Sequence, residues 1–410
     1  MATVSGSLFR RILFWTHLAS GVLAGLLILL MSVTGVLLTY EHQMVASAER
    51  RNHAQATPGM QRLPLDDLAE VARPVIAGNS RATLIVNAEP GAPLTVTAGR
   101  ETVALINPFT GSIISDAAEG MKGFLGTMES WHRWMGGDPR STRANLLDYA
   151  NLLFLFITVS GLYLWLPAVW RWRTVRGVLL FQRRYINAKV RDFNWHHVFG
   201  AWMLVPLFVI ALSGVVMSFP WANNAVFAAF GEAPPQRGGP PGGAGGPGAG
   251  GPGAGGPAAA ARGPGGGEGS PSTAADQPRA SLQQLLDAAV AQVPDWQRAT
   301  MPMVVGGPRV EVAVELRSEE RRAPRRTVVL DATSGGVIEV QGASAPPPST
   351  PGQNARTWFR FAHTGEQYGV IGQTIAGLAP LAACFLVYTG LALAWRRLIL
   401  PVFRRRSAGN

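Results

Sequence analysis

Cysteine and charged residues are both scarce in this sequence. The single cysteine, Cys384, excludes an internal disulfide, a four-cysteine zinc site, an iron–sulfur cluster held by this chain alone and the CxxCH attachment of a c-type haem. Charged residues make up only 15% of the 410 residues, against about 25% in soluble domains, while hydrophobic residues make up 47%. This balance argues against an ordinary soluble enzyme.

Nucleotide-binding motifs are missing as well. The chain has no GxxxxGK[ST] phosphate loop and no GxGxxG sequence that opens a helix after a strand. A tract from Gly238 to Gly269 is rich in Gly, Pro and Ala, but its glycines lack the three-residue period of collagen. Because such a composition cannot bury apolar surface, we predict a disordered linker over residues 222–280.

Four apolar stretches are long enough to cross a bilayer, which takes about 20 residues. They contain no Asp, Glu, Lys or Arg, and run from about Leu18 to Tyr40, Tyr149 to Val169, Val198 to Trp221 and Tyr368 to Trp395. The first stretch is too long for the apolar region of a signal peptide and has no small-residue cleavage site, so we expect it to be retained. These stretches are named spans one to four.

The basic residues predict the orientation of the spans. Fourteen of the 36 basic residues lie in residues 1–13, 170–194 and 396–410, where Asp192 is the only acid. The net charge of these three segments is +13. Because the whole chain has a net charge of +11, the remaining residues together carry −2. Because positively charged loops stay in the cytoplasm, both termini are predicted to be cytoplasmic. The basic character therefore reflects membrane topology and not nucleic-acid binding.

The two halves of the chain repeat one plan, which indicates a tandem duplication. His17 and His196 each precede a glycine by four residues, and each lies 18 residues before the glycine of a [Ser/Thr]-Gly pair. The [Ser/Thr]-Gly pairs that align between the halves are Thr34-Gly35 with Ser213-Gly214, and Ser160-Gly161 with Thr389-Gly390. Because both repeats have the same orientation, we expect a pseudo-two-fold axis along the membrane normal.

Each half also contains an external segment with the pattern of one helix followed by short strands. Helical spacing covers residues 64–78 and 281–293, and runs typical of β-strands follow each helix. Residues 107–111 and 331–335 share the pattern Asx-x-x-[Ser/Thr]-Gly, which is typical of a turn between strands. We therefore predict a membrane all-α four-helix bundle with two small α+β external domains.

These patterns divide the chain into nine segments. The predicted boundaries are 1–40 for span one with its cytoplasmic N-terminus, 41–145 for the first external domain, 146–169 for span two, 170–197 for a basic cytoplasmic loop, 198–221 for span three, 222–280 for the linker, 281–365 for the second external domain, 366–395 for span four and 396–410 for a basic cytoplasmic tail.

Histidines lie at the ends of the spans in two layers. His17, His196 and His197 lie at the cytoplasmic ends of spans one and three, and His132 and His363 at the external ends of spans two and four. Ionisable residues at span ends are costly and are often functional. A metal or haem with two axial ligands from facing helices suits this symmetry, and without cysteine the haem is of the non-covalent b type.

Two neighbouring histidines compete for one position. The alignment of the halves favours His196, whereas the Trp-x-His pattern shared with Trp15 and His17 favours His197. The two side chains point about 100° apart on a helix, so one of them is expected to face a given iron.

The remaining candidates carry weaker signals. His42 and His53 have no counterpart in the repeat, and we expect both to be ordinary surface residues. Arg10, Arg133 and Arg360 are candidate partners for haem propionates, although anchoring at the membrane surface explains each of them alone.

At these motifs the sequence resembles the PepSY-associated transmembrane family of bacterial inner-membrane proteins. The matching motifs are His17-x-x-x-Gly21, His196-x-x-x-Gly200, His363-Thr-Gly-Glu-x-x-Gly369, the Ser160-Gly161 and Thr389-Gly390 pairs and the two turns. The resemblance covers nearly the whole chain outside the Gly/Pro tract, and it implies periplasmic PepSY-like external domains. It also implies two b haems held by histidines of the bundle. His132 departs from the pattern, because Gly136-Gly137 follows it in place of the Thr-Gly-Glu run after His363.

Iron-regulated members of this family look like ferric-siderophore reductases. The resemblance thus implies an oxidoreductase that passes electrons across the membrane to a periplasmic acceptor, with a ferric siderophore as the expected acceptor and iron release as the result. Some relatives carry a fused flavodoxin or reductase domain, and here a separate cytoplasmic or membrane electron donor is expected instead. The alternative is a non-catalytic PepSY membrane protein that binds a peptide or a protease, or senses the envelope.

Overall fold

The computed structural model describes residues 2–55, 60–76, 79, 81–99, 101–166, 171–235, 279–317, 325–342 and 349–401. The Gly/Pro tract from 238 to 269, and the last three arginines of the basic tail, lie outside the described residues. The chain divides into two compact units. The helical unit comprises residues 1–41, 123–244 and 349–410, and the sheet unit comprises residues 42–122 and 245–348.

The elements are numbered in chain order. The α-helices are α1 (Ala2–Leu38), α2 (Glu41–Glu49), α3 (Leu65–Ala72), α4 (Glu119–Trp134), α5 (Thr142–Trp165), α6 (Trp172–Leu179), α7 (Ala188–Ser218), α8 (Pro220–Ala228), α9 (Leu282–Ala291), α10 (Pro351–Thr364) and α11 (Gly369–Leu398). The strands are β1 (Ala82–Asn87), β2 (Leu94–Ala98), β3 (Glu101–Ile106), β4 (Ile113–Ile114), β5 (Trp296–Pro302), β6 (Arg309–Leu316), β7 (Arg325–Asp331) and β8 (Val337–Gln341).

The four predicted spans are confirmed as four helices long and apolar enough to cross a membrane. They cover Leu8–Leu38, Thr142–Trp165, Ala188–Ser218 and Glu366–Leu398. Each packs against two others, because α1 and α7 both contact α5 and α11. Small buried residues such as Ala24, Ala150 and Ala383 lie where the helices meet, which permits the close approach typical of membrane helices.

Side-chain caps fix where several helices of this unit begin. The Ser141 hydroxyl accepts a hydrogen bond from the Ala144 amide at the start of α5, and Asn187 caps α7 in the same way. Thr350 and Gln353 form a reciprocal capping box at the start of α10. At its other end α10 stops at Gly365, which has a φ of +75° and packs so close to Gly372 that a Cβ would collide with the Gly372 carbonyl. This turn fixes how α10, which carries His363, meets α11.

The sheet unit contains one antiparallel sheet of eight strands in the order β4-β3-β2-β1-β5-β6-β7-β8. The prediction of two separate small domains is corrected here, because strands from both halves join in a single sheet. The junction is the antiparallel pair of β1 and β5, in which Ile85 lies opposite Thr300. Two four-stranded sheets would leave these two edges unpaired, and their pairing satisfies the exposed backbone groups.

Helices α3 and α9 share one hydrophobic core with this sheet. Leu68 and Leu285 are buried with the strand residues Leu84, Val312 and Leu330. The helix N-termini are also tied to each other. Asp66 accepts hydrogen bonds from the Leu282 and Gln283 amides of α9, and the Gln283 side chain accepts one from the Leu65 amide of α3. Each half of the chain therefore caps the helix of the other half.

Several predicted boundaries differ from the structure. Residues 188–197, assigned to the basic cytoplasmic loop, belong to α7, and residues 222–228, assigned to the disordered linker, belong to α8. Helix α8 follows α7 after a single residue and begins with a proline at its first position. Residues 123–134 and 349–364, assigned to the external domains, belong to the helical unit. These segments belong to α4 and α10, which are separate helices next to spans two and four in the sequence. The helical unit therefore extends beyond the apolar stretches that defined the spans.

Candidate cofactor-binding site

Four histidines of the helical unit make the same contact. In each case the ring Nδ1 lies within hydrogen-bond distance of a serine or threonine hydroxyl on a span. The pairs are His17 with Ser160 at 2.9 Å, His132 with Thr34 at 2.9 Å, His196 with Thr389 at 3.0 Å and His363 with Ser213 at 2.9 Å. Every one of these hydroxyls belongs to a [Ser/Thr]-Gly pair of the sequence. The repeated motif thus supplies the hydroxyls that hold the histidine rings.

The hydrogen bonds of the hydroxyls determine the tautomer of each ring. Each hydroxyl also donates to a backbone carbonyl three or four residues earlier in its own helix, as Thr34 does to Leu30 at 2.8 Å and Thr389 to Phe385 at 2.7 Å. Ser160 and Ser213 make the corresponding bonds. Because a hydroxyl carries only one hydrogen, its oxygen must accept from the histidine Nδ1–H. The Nε2 atom of each ring therefore carries the lone pair that can bind a metal.

The glycine makes room for the ring in three of the four pairs. A Cβ built on Gly35 would lie 3.3 Å from Cε1 of His132, and one on Gly161 would lie 3.3 Å from Cε1 of His17. At Gly390 the corresponding distance to Cε1 of His196 is 3.4 Å. Gly214 is the exception, since its Cβ would meet the Asn151 amide at 2.6 Å. In three of the four pairs, then, the glycine lets the ring lie against the helix backbone.

His132 and His363 lie close together. Their ring centroids are 6.3 Å apart. A metal held between two imidazole nitrogens, with metal–nitrogen bonds of about 2.0 Å, places the ring centroids about 6 Å apart. Burial lowers the pKa of His132 to about 4, with a contribution from the neighbouring His363, and burial also lowers the pKa of His363. Both rings are therefore neutral at neutral pH, which is the form that binds metals.

Three more histidines line a cavity of about 980 Å³ among the spans. His17, His196 and His197 all face it, together with apolar residues of all four spans such as Phe154 and Leu207. Its size falls at the upper end of the range of about 300–1,000 Å³ that is typical of small-molecule and cofactor sites.

His196 and His197 differ in their surroundings. His196 follows the pattern of the other three histidines through Thr389. His197 instead bonds the carbonyl of Phe193 in its own helix at 2.8 Å, and its ring packs 4.0 Å from the Phe193 ring. The repeated hydroxyl contact therefore groups His196, and not His197, with His17, His132 and His363.

The donor set suits a cofactor that brings most of its own ligands. Among the described residues, no group of three or more His, Cys, Asp and Glu side chains is placed to hold a bare metal ion. The histidines occur in pairs, and a pair completes the coordination only of a metal that already has other donors, as the iron of a porphyrin has. The apolar cavity and the fixed Nδ1–H tautomers fit such a group.

The remaining sequence candidates lie elsewhere. His42 is exposed, and His53 lies 3.4 Å from Glu89, with both histidines in the sheet unit. Arg10 donates to the carbonyls of Leu164 and Leu166 at the end of α5.

The other two arginines proposed for propionates have partners of their own. Arg133 pairs with Glu129 at 2.6 Å and lies over the Trp134 ring, and Arg360 lies over the Phe361 ring.

Asp192 is a buried acid whose structural role was not predicted from the sequence. Its side chain is fully buried and accepts from Arg191 at 2.9 Å and from Arg396 at 2.5 Å. The second contact ties the start of α7 to the end of α11. The sequence does contain one indication of this role, because Asp192 is the only acid among the basic residues of the loop. A buried charge needs a partner of opposite sign, and these basic residues can supply it.

One family model matches nearly the whole chain. The model described as the PepSY-associated TM region matches residues 14–397. The chain belongs to this family. The match of the PepSY-associated TM region includes all four spans, the sheet unit and all seven histidines, and it confirms the resemblance drawn from the motifs. None of the curated proteins matches the sequence.

Proposed function

We propose that this PepSY-associated membrane protein is a di-haem b electron-transfer protein of the bacterial inner membrane. In this proposal the four spans form a four-helix bundle that arose by tandem duplication, and each half contributes one histidine to each haem. His17 with His196 hold the haem near the cytoplasmic face, and His132 with His363 hold the haem near the periplasmic face.

The observation that carries the proposal is the fourfold histidine–hydroxyl contact. Metal-ligating histidines almost always donate their second ring N–H to a fixed acceptor, which sets the tautomer and orients the ring. Four such contacts use the same [Ser/Thr]-Gly motif at two levels of the spans. Helix packing alone does not explain why the same contact occurs four times. A structural histidine at a membrane surface needs neither a fixed tautomer nor an exposed Nε2 lone pair.

The residues of the chain would position the cofactors and keep water away from them. The hydroxyls of Thr34 and Ser213 hold the rings of His132 and His363, and those of Ser160 and Thr389 hold the rings of His17 and His196. The apolar walls lower the local dielectric constant, and burial and ligand identity are the principal means by which a protein tunes a haem potential.

A bound haem supplies one-electron redox chemistry. Two histidine pairs at different depths divide a bilayer core of about 30 Å into shorter steps. The proposed acceptor is a ferric siderophore in the periplasm, whose hard oxygen ligands hold Fe(II) less tightly than Fe(III), so reduction favours release of the iron. A separate cytoplasmic or membrane donor supplies the electron.

The proposed topology places both termini in the cytoplasm and the sheet unit in the periplasm. It rests on the +13 charge of the terminal segments and the central loop, against −2 for the rest of the chain. Reporter fusions at residue 410 and within residues 99–101 test it, since the first must report a cytoplasmic and the second a periplasmic position.

The function is tested with purified protein produced with a haem supply. We expect the absorption bands of low-spin b haem, about two haems per chain, and oxidation of the reduced protein by an added ferric siderophore. Protein that folds and binds no haem would contradict the electron-transfer function and leave the binding of a peptide or protease as the alternative. Protein that binds haem but passes no electron to ferric chelates would contradict the choice of acceptor.

A further inference from the structure

The cavity that contains His17 has a basic end. Five of the described residues that line it are basic and none is acidic, and the basic residues are Arg10, Arg11, Lys189, Arg396 and Arg397. They come from the starts of α1 and α7 and from the end of α11, which lie at the same face of the spans because neighbouring spans run in opposite directions. The rest of the lining is largely apolar. A ligand with a flat apolar body and an anionic edge matches this distribution.

Several of these basic groups already have partners in the protein. Arg10 donates to carbonyls of α5, and Arg396 pairs with Asp192. Arg397 lies over the rings of Phe14 and Trp15, at 4.6 and 5.3 Å from their centroids. Such stacking uses the face of the guanidinium and leaves its N–H groups available for hydrogen bonds. Within the described part of the chain, Arg11 forms no ion pair.

Trp165 adds a neutral donor at this end of the cavity. It is the last residue of α5 and lies between Leu164 and Leu166, whose carbonyls Arg10 binds. Its indole Nε1 is buried, lines the same cavity, and has no hydrogen-bond partner among the described residues. A buried N–H without a partner is uncommon in folded proteins and indicates an acceptor that is not part of the chain.

We propose that Trp165 Nε1 donates a hydrogen bond to a carboxylate of the cofactor in this cavity, and that Arg11 balances the charge of that carboxylate. This inference rests on the proposed function, because it assigns the anionic edge of the cytoplasmic-side haem to this end of the cavity. Trp165 would then help to orient the cofactor in the cavity. A lipid phosphate offers the same acceptor chemistry, and the test separates the two sources.

The test compares Trp165→Phe with Trp172→Phe in the full-length, haem-loaded protein. Phenylalanine keeps an aromatic side chain at position 165, although a smaller one, and removes the N–H donor. Trp172→Phe makes the same change in a residue that is 72% exposed and does not line the cavity. Loss of a hydrogen bond to a charged group typically weakens binding by a factor of about ten or more. We expect Trp165→Phe to lose one of two haems about tenfold faster to a haem-scavenging globin, and to lower the midpoint potential of that haem. Trp172→Phe should match the wild type in both measurements.

A second pair of variants and two lipid compositions complete the test. Arg11→Gln should lower the same midpoint potential, whereas Arg176→Gln, a basic residue outside the cavity, should not. The measurements are repeated in nanodiscs of phosphatidylcholine alone and with added phosphatidylglycerol, and the effect of Trp165→Phe should be equal in both. An effect seen only with phosphatidylglycerol would assign the acceptor to a lipid and overturn the proposal.

Two further outcomes are distinguishable. Trp165→Phe with wild-type haem loss and potential would overturn this inference and leave the proposed function intact. Wild-type protein that holds no haem would overturn both.

Discussion

Thr34 Oγ1 accepts a hydrogen bond from Nδ1 of His132, 2.9 Å away, across a sequence separation of 98 residues. The same hydroxyl donates its only hydrogen to the Leu30 carbonyl at 2.8 Å. These two bonds together leave Nε2 of His132 with its lone pair, and His17, His196 and His363 repeat the arrangement. The proposed role of the protein as a cofactor carrier depends on this relationship.

Removal of the Thr34 hydroxyl should weaken the binding of one haem. Thr34→Val keeps the shape of the side chain and removes the acceptor of His132, and loss of such a partner typically weakens metal binding about 10- to 100-fold. We expect faster loss of one of two haems, measured by transfer to a haem-scavenging globin. Thr127→Val is the control, because the Thr127 hydroxyl donates to the Gly123 carbonyl of its own helix, contacts no histidine and does not line the cavity. Equal rates in the two variants would show that the hydroxyl contact has no role in binding.

A side chain added at the glycines beside the rings should displace the rings. In Gly161→Ala the new Cβ would lie 3.3 Å from Cε1 of His17, so either the ring or helix α5 has to shift. We expect a changed spectrum or partial loss of the cytoplasmic-side haem, while Gly126→Ala, at a position with open space within 4 Å, leaves the haem content unchanged. A Gly161→Ala protein with the wild-type spectrum and haem content would contradict the close fit.

The choice between the two adjacent histidines also has a direct test. His196 contacts Thr389, whereas His197 bonds the Phe193 carbonyl and packs on the Phe193 ring. We expect His196→Ala to hold about one haem and His197→Ala to hold about two, as determined by pyridine haemochrome assay. The opposite result would assign the cytoplasmic-side ligand to His197.

Local patterns in the sequence predicted much of the fold. The presence and approximate positions of the four spans, both Asx turns and most strands follow from residue types within about 20 positions, and Asn107 and Asp331 do accept the backbone hydrogen bonds of their turns. The sequence also placed the histidines in two layers, because span ends can be located by composition.

Contacts between distant segments could not be predicted in this way. The [Ser/Thr]-Gly pairs were visible as repeats, but nothing local indicates that Thr389 meets His196, which lies 193 residues earlier. The pairing of β1 with β5 likewise depends on the meeting of two strand edges more than 200 residues apart. In both cases the partner is chosen by tertiary packing, which a pattern within one segment does not contain.

Acid should weaken the sheet unit through Asp116. Burial by itself raises the pKa of this carboxyl, but hydrogen bonds from Asn52, the Ala118 amide and Lys122 outweigh burial and lower the pKa below its ordinary value. Because the folded pKa is lower than the unfolded pKa, the stabilisation is fully present above the unfolded value of about 4 and disappears as the pH falls through the folded value.

A carboxamide at this position tests that pH dependence. We expect Asp116→Asn to be less stable than the wild type by about 1 kcal/mol at pH 7, with the difference becoming smaller as the pH falls below about 4. The measurement is thermal unfolding of the full chain between pH 3 and 7. Glu101→Gln, which changes an exposed carboxylate at the start of β3, is the control and should show little effect. A constant difference across this range would contradict the role of the Asp116 charge.

The central claim is that the two histidine layers hold separate haems, and haem content of two single variants tests it most directly. His17→Ala and His363→Ala should each purify with about one haem per chain, and their difference spectra and midpoint potentials should differ because each retains the haem that the other lacks. His42→Ala, in the sheet unit, should keep both haems. If His17→Ala and His363→Ala both retained two haems with unchanged spectra, the assignment of the ligands to these layers would be wrong.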